Sequence, residues 1–193
     1  MFSEKTIDRK TIFEGRVFTV HLDTVELIDG KIARRELVRH NGGACIVAID
    51  DQERTCLVRQ YRKPFEQMLL EVPAGKLEPG EDPMACAARE LTEETGWIAN
   101  TVIPLGLMYP TPGYCGEILH LFLGLDLTKG TARLDEGEYL DVVEMPFSEA
   151  LAMSDRGELP DAKTQMALFK AQRYLESTHH QHPDREGHSQ QHA

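Results

Sequence analysis

Three glutamates, Glu90, Glu93 and Glu94, carry the strongest chemical signal in the chain. They lie in the segment GKLEPGEDPMACAARELTEETGW, residues 75–97, and are related by three and four positions, so on a helix their carboxylates share one face. Met84, Ala88 and Leu91 then turn towards a core, which puts the acidic face on the solvent side. Two carboxylates about 6 Å apart repel by under ~1 kcal/mol in bulk water and by about 3 kcal/mol at an effective dielectric of roughly 20. A solvated acidic face is therefore inexpensive, and it is the ordinary reading of a glutamate-bearing helix taken alone. The residues before it favour a metal site. Gly75 closes a strand-like run, EVPAG, and KLEPGE turns back through Pro79 and Gly80, bringing backbone carbonyls near Ala74 and Gly75 up to the carboxylates. Hard oxygen donors of this kind suit magnesium or manganese, which keep several waters and bridge to phosphate oxygens.

A helix has to present those carboxylates, and its ends are marked: Asp82 is a good N-cap, Pro83 fits the first helical position and Gly96 ends the helix. Its expected apolar stripe is Met84, Ala87, Ala88, Leu91 and Thr95. Upstream, residues 16–27 and 32–40 flank the turn signal Asp29-Gly30 and predict an N-terminal hairpin. ACIVAID and TCLVRQY, separated by a polar turn, predict two core strands, with further strands over 67–73, 101–109, 118–127 and 140–145. A short helix is expected after Ser148 and a longer one from Asp161 to about Ser177, with Ala167, Leu168, Ala171, Tyr174 and Leu175 on one face. The order of strands, helix, strands and helices predicts an α/β (α+β) fold, a mixed sheet between helices with an antiparallel strand extension at the N-terminus.

The chain has 193 residues and a formal net charge of -11, so its surface as a whole repels nucleic acid and anionic membranes, and neither is expected as a partner. A phosphate-bearing ligand would need a bound cation, a few placed arginines, or both. Cys45, Cys56, Cys86 and Cys115 show no CxxC pair, which favours reduced, buried thiols over disulfides or structural zinc. The N-terminal stretch MFSEKTIDRKTIFEG has charges throughout and does not read as a signal peptide, so a cytoplasmic location is expected. The last segment, STHHQHPDREGHSQQHA, has no large apolar residue and is expected to stay outside the fold; its five histidines read as a solvated tail more readily than as a weak metal site. The expected division is an N-terminal extension over 1–42, a main domain over 43–176 and the tail over 177–193.

Gly75, Glu81, Arg89-Glu90-Leu91, Glu93-Glu94 and Gly96 stand at the spacing of the Nudix box, and the chain resembles the Nudix hydrolase superfamily on those residues. Trp97 is the one departure, since the family has an aliphatic residue there. The resemblance implies a divalent cation, Mg2+ or in its place Mn2+, held by Glu90, Glu93, Glu94 and the backbone carbonyl of Ala74. It implies that Arg89 orients the glutamates, and that Glu81 either ligates a metal or supports the loop.

Several flanking stretches are similar to the ADP-ribose pyrophosphatase branch of that family: Pro112, sixteen residues after Gly96, together with LDEGEYLDVVEM, ELPDAKTQMAL and the N-terminal hairpin. That likeness implies hydrolysis of the diphosphate of ADP-ribose to AMP and ribose 5-phosphate by a homodimer, with hydrolysis of another nucleoside diphosphate sugar such as GDP-mannose, or ADP-ribose binding without catalysis, as alternatives. Arg62 has a fork suited to diphosphate oxygens. Glu117 resembles a ribose or metal contact. Phe18 would stack on adenine and Arg35 would reach a partner's site if the N-terminal strands cross a dimer. The general base of the branch points to Glu138, with Glu136 and the box glutamates, Glu94 among them, left open.

Overall fold

The computed structural model describes residues 2–134 and 136–179. In chain order the strands are β1 (Lys5–Glu14), β2 (Phe18–Glu26), β3 (Ile32–His40), β4 (Gly43–Ala48), β5 (Arg54–Arg62), β6 (Gln67–Glu71), β7 (Ala74–Lys76), β8 (Trp97–Met108), β9 (Leu119–Lys129) and β10 (Leu140–Pro146). Helix α1 (Pro83–Thr95) falls between β7 and β8, and α2 (Phe147–Asp155) and α3 (Ala162–His179) follow β10.

The central sheet has the order β7-β4-β9-β8, with β4 parallel to β9 and the other pairs antiparallel. β4 reads as an unbroken apolar run because both of its faces are covered. Ala44, Ile46 and Ala48 pack with Cys86, Ala87 and Leu91 of α1, while Cys45 and Val47 pack with Ala150 of α2 and Ala167, Leu168 and Ala171 of α3. A second sheet, β10-β5-β6, contributes Cys56 to the first cluster and Leu57 to the second, so the helices enclose a mixed arrangement of sheets as the element order predicts.

The N-terminal extension differs from the expected hairpin. It is a three-stranded antiparallel sheet, β1-β2-β3, whose outer strand β1 went unpredicted. Every residue of β1 is exposed, so no buried face imposes an apolar alternation on KTIDRKTIFE. Strand β3 reaches beyond this sheet: Val38 N–H donates to Tyr114 O at 2.8 Å and Gly116 N–H to Val38 O at 2.9 Å, which ties the extension to the 111–117 loop.

Smaller differences have local causes. Met84 is exposed and Cys86 takes its place in the stripe of α1, because the helix turns its Cys86-Ala87-Leu91 side to β4. Helix α2 begins at Phe147, ahead of Ser148. Helix α3 runs on through Ser177 and Thr178, so helical structure passes the expected boundary at 177; the rest of the histidine-rich tail, from 180, lies outside the described residues. Cys45, Cys56 and Cys86 are buried free thiols, and Cys115 is half-buried and free. No helix among the described residues is long and apolar enough to cross a membrane.

Candidate active site

The acidic helix is set against β7 by its two caps. Asp82 Oδ2 accepts the Ala85 N–H at 3.0 Å, and Gly96 closes the other end at φ 75, its N–H donating to Thr92 O at 2.9 Å. A glycine suits Gly96 because that φ is left-handed. Trp97 follows directly, 2% exposed, so the bulky apolar residue at the one departing position fills the core beside α1.

Between these ends α1 lies so close to β7 that a Cβ placed on Gly75 would stand 1.7 Å from Glu90 Oε1. Glycine at 75 is the space in which the Glu90 carboxylate sits. Glu94 is drawn further in. It is 3% exposed, against the expectation of a solvent-side face, and its Oε2 accepts the Ala74 N–H at 3.1 Å. The correction is tertiary: one helical turn beyond Glu90, Glu94 lies between α1 and the strand. Burial pushes its carboxyl up to about 8, and the negative charges of Glu90 and Glu138 add to the push, while the Ala74 N–H and Arg62 oppose it. Burial also raises Glu90, partly offset by Arg89.

Arg89 binds the outer part of the cluster. Its Nε and Nη2 donate to Glu81 at 2.9 and 3.2 Å, and its Nη1 lies 2.8 Å from both Glu90 Oε1 and Glu93 Oε2. Glu81 also accepts the Glu78 N–H at 3.0 Å, and with Arg89 beside it the carboxyl is held down to about 2. Both oxygens of Glu81 are thus taken up in tying the loop to the helix.

Among the described residues no three histidine, cysteine, aspartate or glutamate side chains form a ready-made cation cage. The donor set nevertheless fits a hard divalent cation. Glu90 and Glu94 are carboxylates raised by burial and by each other, with Glu138 close enough to raise both, and a positive ion would relieve all three effects. Magnesium keeps waters and takes substrate oxygens, so it needs few side-chain ligands.

The carboxylates open on a cleft of about 1020 Å3, whose lining includes Ala74, Gly75, Glu90, Glu94, Arg62, Glu117 and Glu138. Glu93 and Glu81 lie outside that lining, on the Arg89 side. Glu117 enters from the 111–117 loop with Oε1 3.6 Å from His40 Nδ1. Pro112 is exposed in that loop, and Pro110 is the proline that lines the cleft. Glu138 is half-buried and Glu136 exposed, and only Glu138 belongs to the lining. Phe18 and Arg35 do not reach the cleft of their own chain: the Phe18 ring is 5.8 Å from Phe13, and Arg35 pairs with Glu4, Nε to Oε2 at 2.9 Å. Arg16 and Val17, in the turn before Phe18, line it instead.

Two residues that sequence reasoning missed organise the wall opposite. Glu71 is 2% exposed and accepts Arg62 Nε and Nη2, both at 2.7 Å, as well as Lys163 Nζ. Burial alone would raise its carboxyl; the two cations outweigh it and hold it down to about 2. The available signal was a glutamate inside the apolar run MLLEVP, which buries only with a partner.

Residues 39–169 match the NUDIX domain family, and residues 4–38 match the nucleoside diphosphate sugar hydrolase N-terminal domain. The chain is 41% identical over 167 residues to the ADP-ribose pyrophosphatase of Bacillus subtilis (strain 168), covering 86% of this chain and 90% of that relative. It is 42% identical over 170 residues to the methanol dehydrogenase activator of Bacillus methanolicus, covering 87% and 92%. It is 32% identical over 193 residues to the GDP-mannose pyrophosphatase of Escherichia coli O139:H28, covering 93% and 98%. A solved structure described as an ADP compounds hydrolase superposes with a TM-score of 0.80 at 24% identity, covering 91% of this chain and 96% of that one, which establishes a shared fold.

Proposed function

The chain belongs to the NUDIX domain family, and from that premise we propose that it hydrolyses the diphosphate bond of ADP-ribose to AMP and ribose 5-phosphate with Mg2+. The observation that carries this reading is the single cleft in which Glu90 and Glu94 stand opposite Arg62 and Lys163. It is supported by 41% identity to an ADP-ribose pyrophosphatase over 86% of the chain.

Glu90, Glu93, Glu94 and the Ala74 carbonyl would hold the cation, with Mn2+ an acceptable substitute. When bound there it would neutralise diphosphate oxygens and lower the pKa of the attacking water. Arg89 keeps Glu90 and Glu93 aligned with Glu81. Arg62 receives the diphosphate, and Glu117 meets the terminal ribose. Glu138 takes the proton of the water: it lines the cleft and acts electrostatically on both Glu90 and Glu94, whereas Glu136 is exposed outside it. Replacing Glu138 by Gln is expected to lower kcat by about 10^2- to 10^4-fold with little change in the Mg2+ concentration that gives half-maximal activity. An unchanged kcat would move the base elsewhere.

Residues 1–42 form a dimerising extension of the hydrolase domain in this reading. β1 is an exposed edge strand with Ile7, Ile12 and Phe13 each more than half exposed, a surface that a second copy would cover. In the homodimer Phe18 would stack on the adenine, and Arg35 would reach the partner's cleft. Free cysteines agree with a reducing, cytoplasmic setting.

A second reading keeps the chemistry and changes the substrate to a GDP-sugar such as GDP-mannose. The match of residues 4–38 to a nucleoside diphosphate sugar hydrolase domain favours it. A binding module without catalysis is disfavoured, because Glu90, Glu93 and Glu94 are all retained. Incubating the purified protein and Mg2+ with a panel of dinucleotides and nucleotide sugars, and identifying products, separates the three. AMP and ribose 5-phosphate from ADP-ribose are expected. A clear preference for a GDP-sugar would replace that substrate, and binding without product over hours would indicate a module.

A further inference from the structure

Glu71, Lys163 and Asp161 form a charged cluster beside Arg62 that the roles above leave unexplained. Glu71 ends β6, and Lys163 is the second residue of α3, so the contact joins elements 92 residues apart. Lys163 also lies 3.0 Å from Asp161 Oδ2, an oxygen that accepts the Thr164 N–H at 2.9 Å and its hydroxyl at 2.6 Å. Thr164 Oγ1 in turn accepts the Val72 N–H at 3.0 Å, which fastens the start of α3 to the chain leaving β6.

A clamp between two elements has no reason to face solvent, yet Arg62, Asp161 and Lys163 all line the cleft that holds Glu90 and Glu94, and the Arg62 side chain is 38% exposed. The donors are not exhausted. Glu71 occupies Nε and Nη2 of Arg62, and among the described residues no hydrogen bond engages Nη1. Lys163 gives two of its three N–H groups to Glu71 and Asp161, which leaves one. Two long, rotamer-rich cations that would otherwise be ordered only on binding are already fixed by one buried carboxylate.

We propose that Lys163 is a second diphosphate-binding cation beside Arg62, and that Glu71 is the positioning residue that holds both at the wall of the cleft. This rests on the reading of the cleft as a nucleoside diphosphate site. The cluster presents positive charge to the ligand's oxygens on the side away from Glu90 and Glu94.

The test is binding of α,β-methylene-ADP, a diphosphate that cannot be cleaved, to the full chain with Mg2+, alongside steady-state kinetics and melting curves. Lys163→Ala is expected to raise the Kd of the probe by roughly tenfold or more, to raise KM more than it lowers kcat, and to melt within a few degrees of the wild type. Lys163→Arg, which keeps the charge, is expected to recover most of the affinity. Glu71→Gln is expected to weaken binding at least as much, and adding Lys163→Ala to it should weaken binding little further. Should Glu71→Gln not fold, Arg62→Lys keeps the charge but loses the fork on Glu71, and a raised KM is expected from it too. Wild-type affinity in Lys163→Ala, or a Glu71→Gln enzyme whose only change is its melting temperature, would overturn the proposal. A wild type that does not bind the probe would instead remove the diphosphate reading beneath it.

Discussion

Glu94→Gln is expected to lower kcat/KM by about 10^3-fold or more, equivalent to about 4 kcal/mol of transition-state stabilisation, and at the same time to raise the melting temperature of the metal-free protein at pH 8. The two effects share one cause. Glu94 is buried against β7 with Glu90 and Glu138 acting on it, and that burial pushes its carboxyl up to about 8. In the unfolded chain the same carboxyl titrates near 4.3. Between those values the folded chain holds a proton that the unfolded chain has released, so stability falls as pH rises through the window. Gln is neutral at every pH and has a carbonyl oxygen to accept the Ala74 N–H, so the variant escapes that loss. Below pH 4 the two proteins should melt alike, because Glu94 is then protonated in both states. By pH 8 the variant should melt higher by about 5 °C. Thermal unfolding in a chelator across that pH range measures this, and phosphate-product release with Mg2+ measures the turnover. Retained turnover would contradict the metal role of Glu94; a lower melting temperature at pH 8 would contradict the burial argument.

The helix that carries this residue was legible end to end, because Asp82, Pro83 and Gly96 are signals that act within one turn of chain. β4 and β9 were legible as apolar runs for a related reason, since residues buried on both faces leave no alternation to misread. What the sequence concealed depends on distant partners. The burial of Glu94 comes from the approach of β7, and periodicity alone placed it with its neighbours on the solvent side. Arg62 was readable as a phosphate fork, but its carboxylate partner was not: Glu71 comes within reach only through the β5–β6 register, in which Arg62 pairs with Gln67 and Val58 with Glu71. Lys163 needs the whole of the fold between β6 and α3. β1 escaped notice because an exposed strand paired along one edge carries no core pattern. The same exposure keeps Phe18 and Arg35 from their own cleft, so their proposed roles need a second copy of the chain.

Gly75→Ala should show how closely the helix and strand are matched. A Cβ there would lie 1.7 Å from Glu90 Oε1, 2.0 Å from its Cδ and 2.6 Å from its Cγ, far inside any allowed contact. Three responses are open: the backbone of β7 shifts, α1 retreats, or Glu90 swings out. β7 is held by its pairing with β4 through Ala44 and Cys45, both fully buried. α1 is held by Cys86, Ala87 and Leu91, none of which has any exposure to give up. Glu90 is the softest of the three, a side chain with rotatable bonds whose outer anchor is the 2.8 Å pair with Arg89. The methyl group should therefore expel the Glu90 carboxylate from its place beside Glu94 and leave the fold largely intact, with a stability loss of about 1–3 kcal/mol for the overpacking. Losing one cation ligand of a shared set is expected to raise the Mg2+ concentration for half-maximal activity by about 10- to 100-fold, the size of effect seen when a ligand is no longer held in place. At saturating Mg2+, turnover should stay about 10^2-fold below the wild type, because the remaining ligands hold the diphosphate off its productive line. Activity measured against Mg2+ concentration, with a melting curve for each protein, tests this directly. A variant with wild-type Mg2+ dependence would mean that Glu90 keeps its place despite the methyl group, and that the glycine at 75 serves the turn alone.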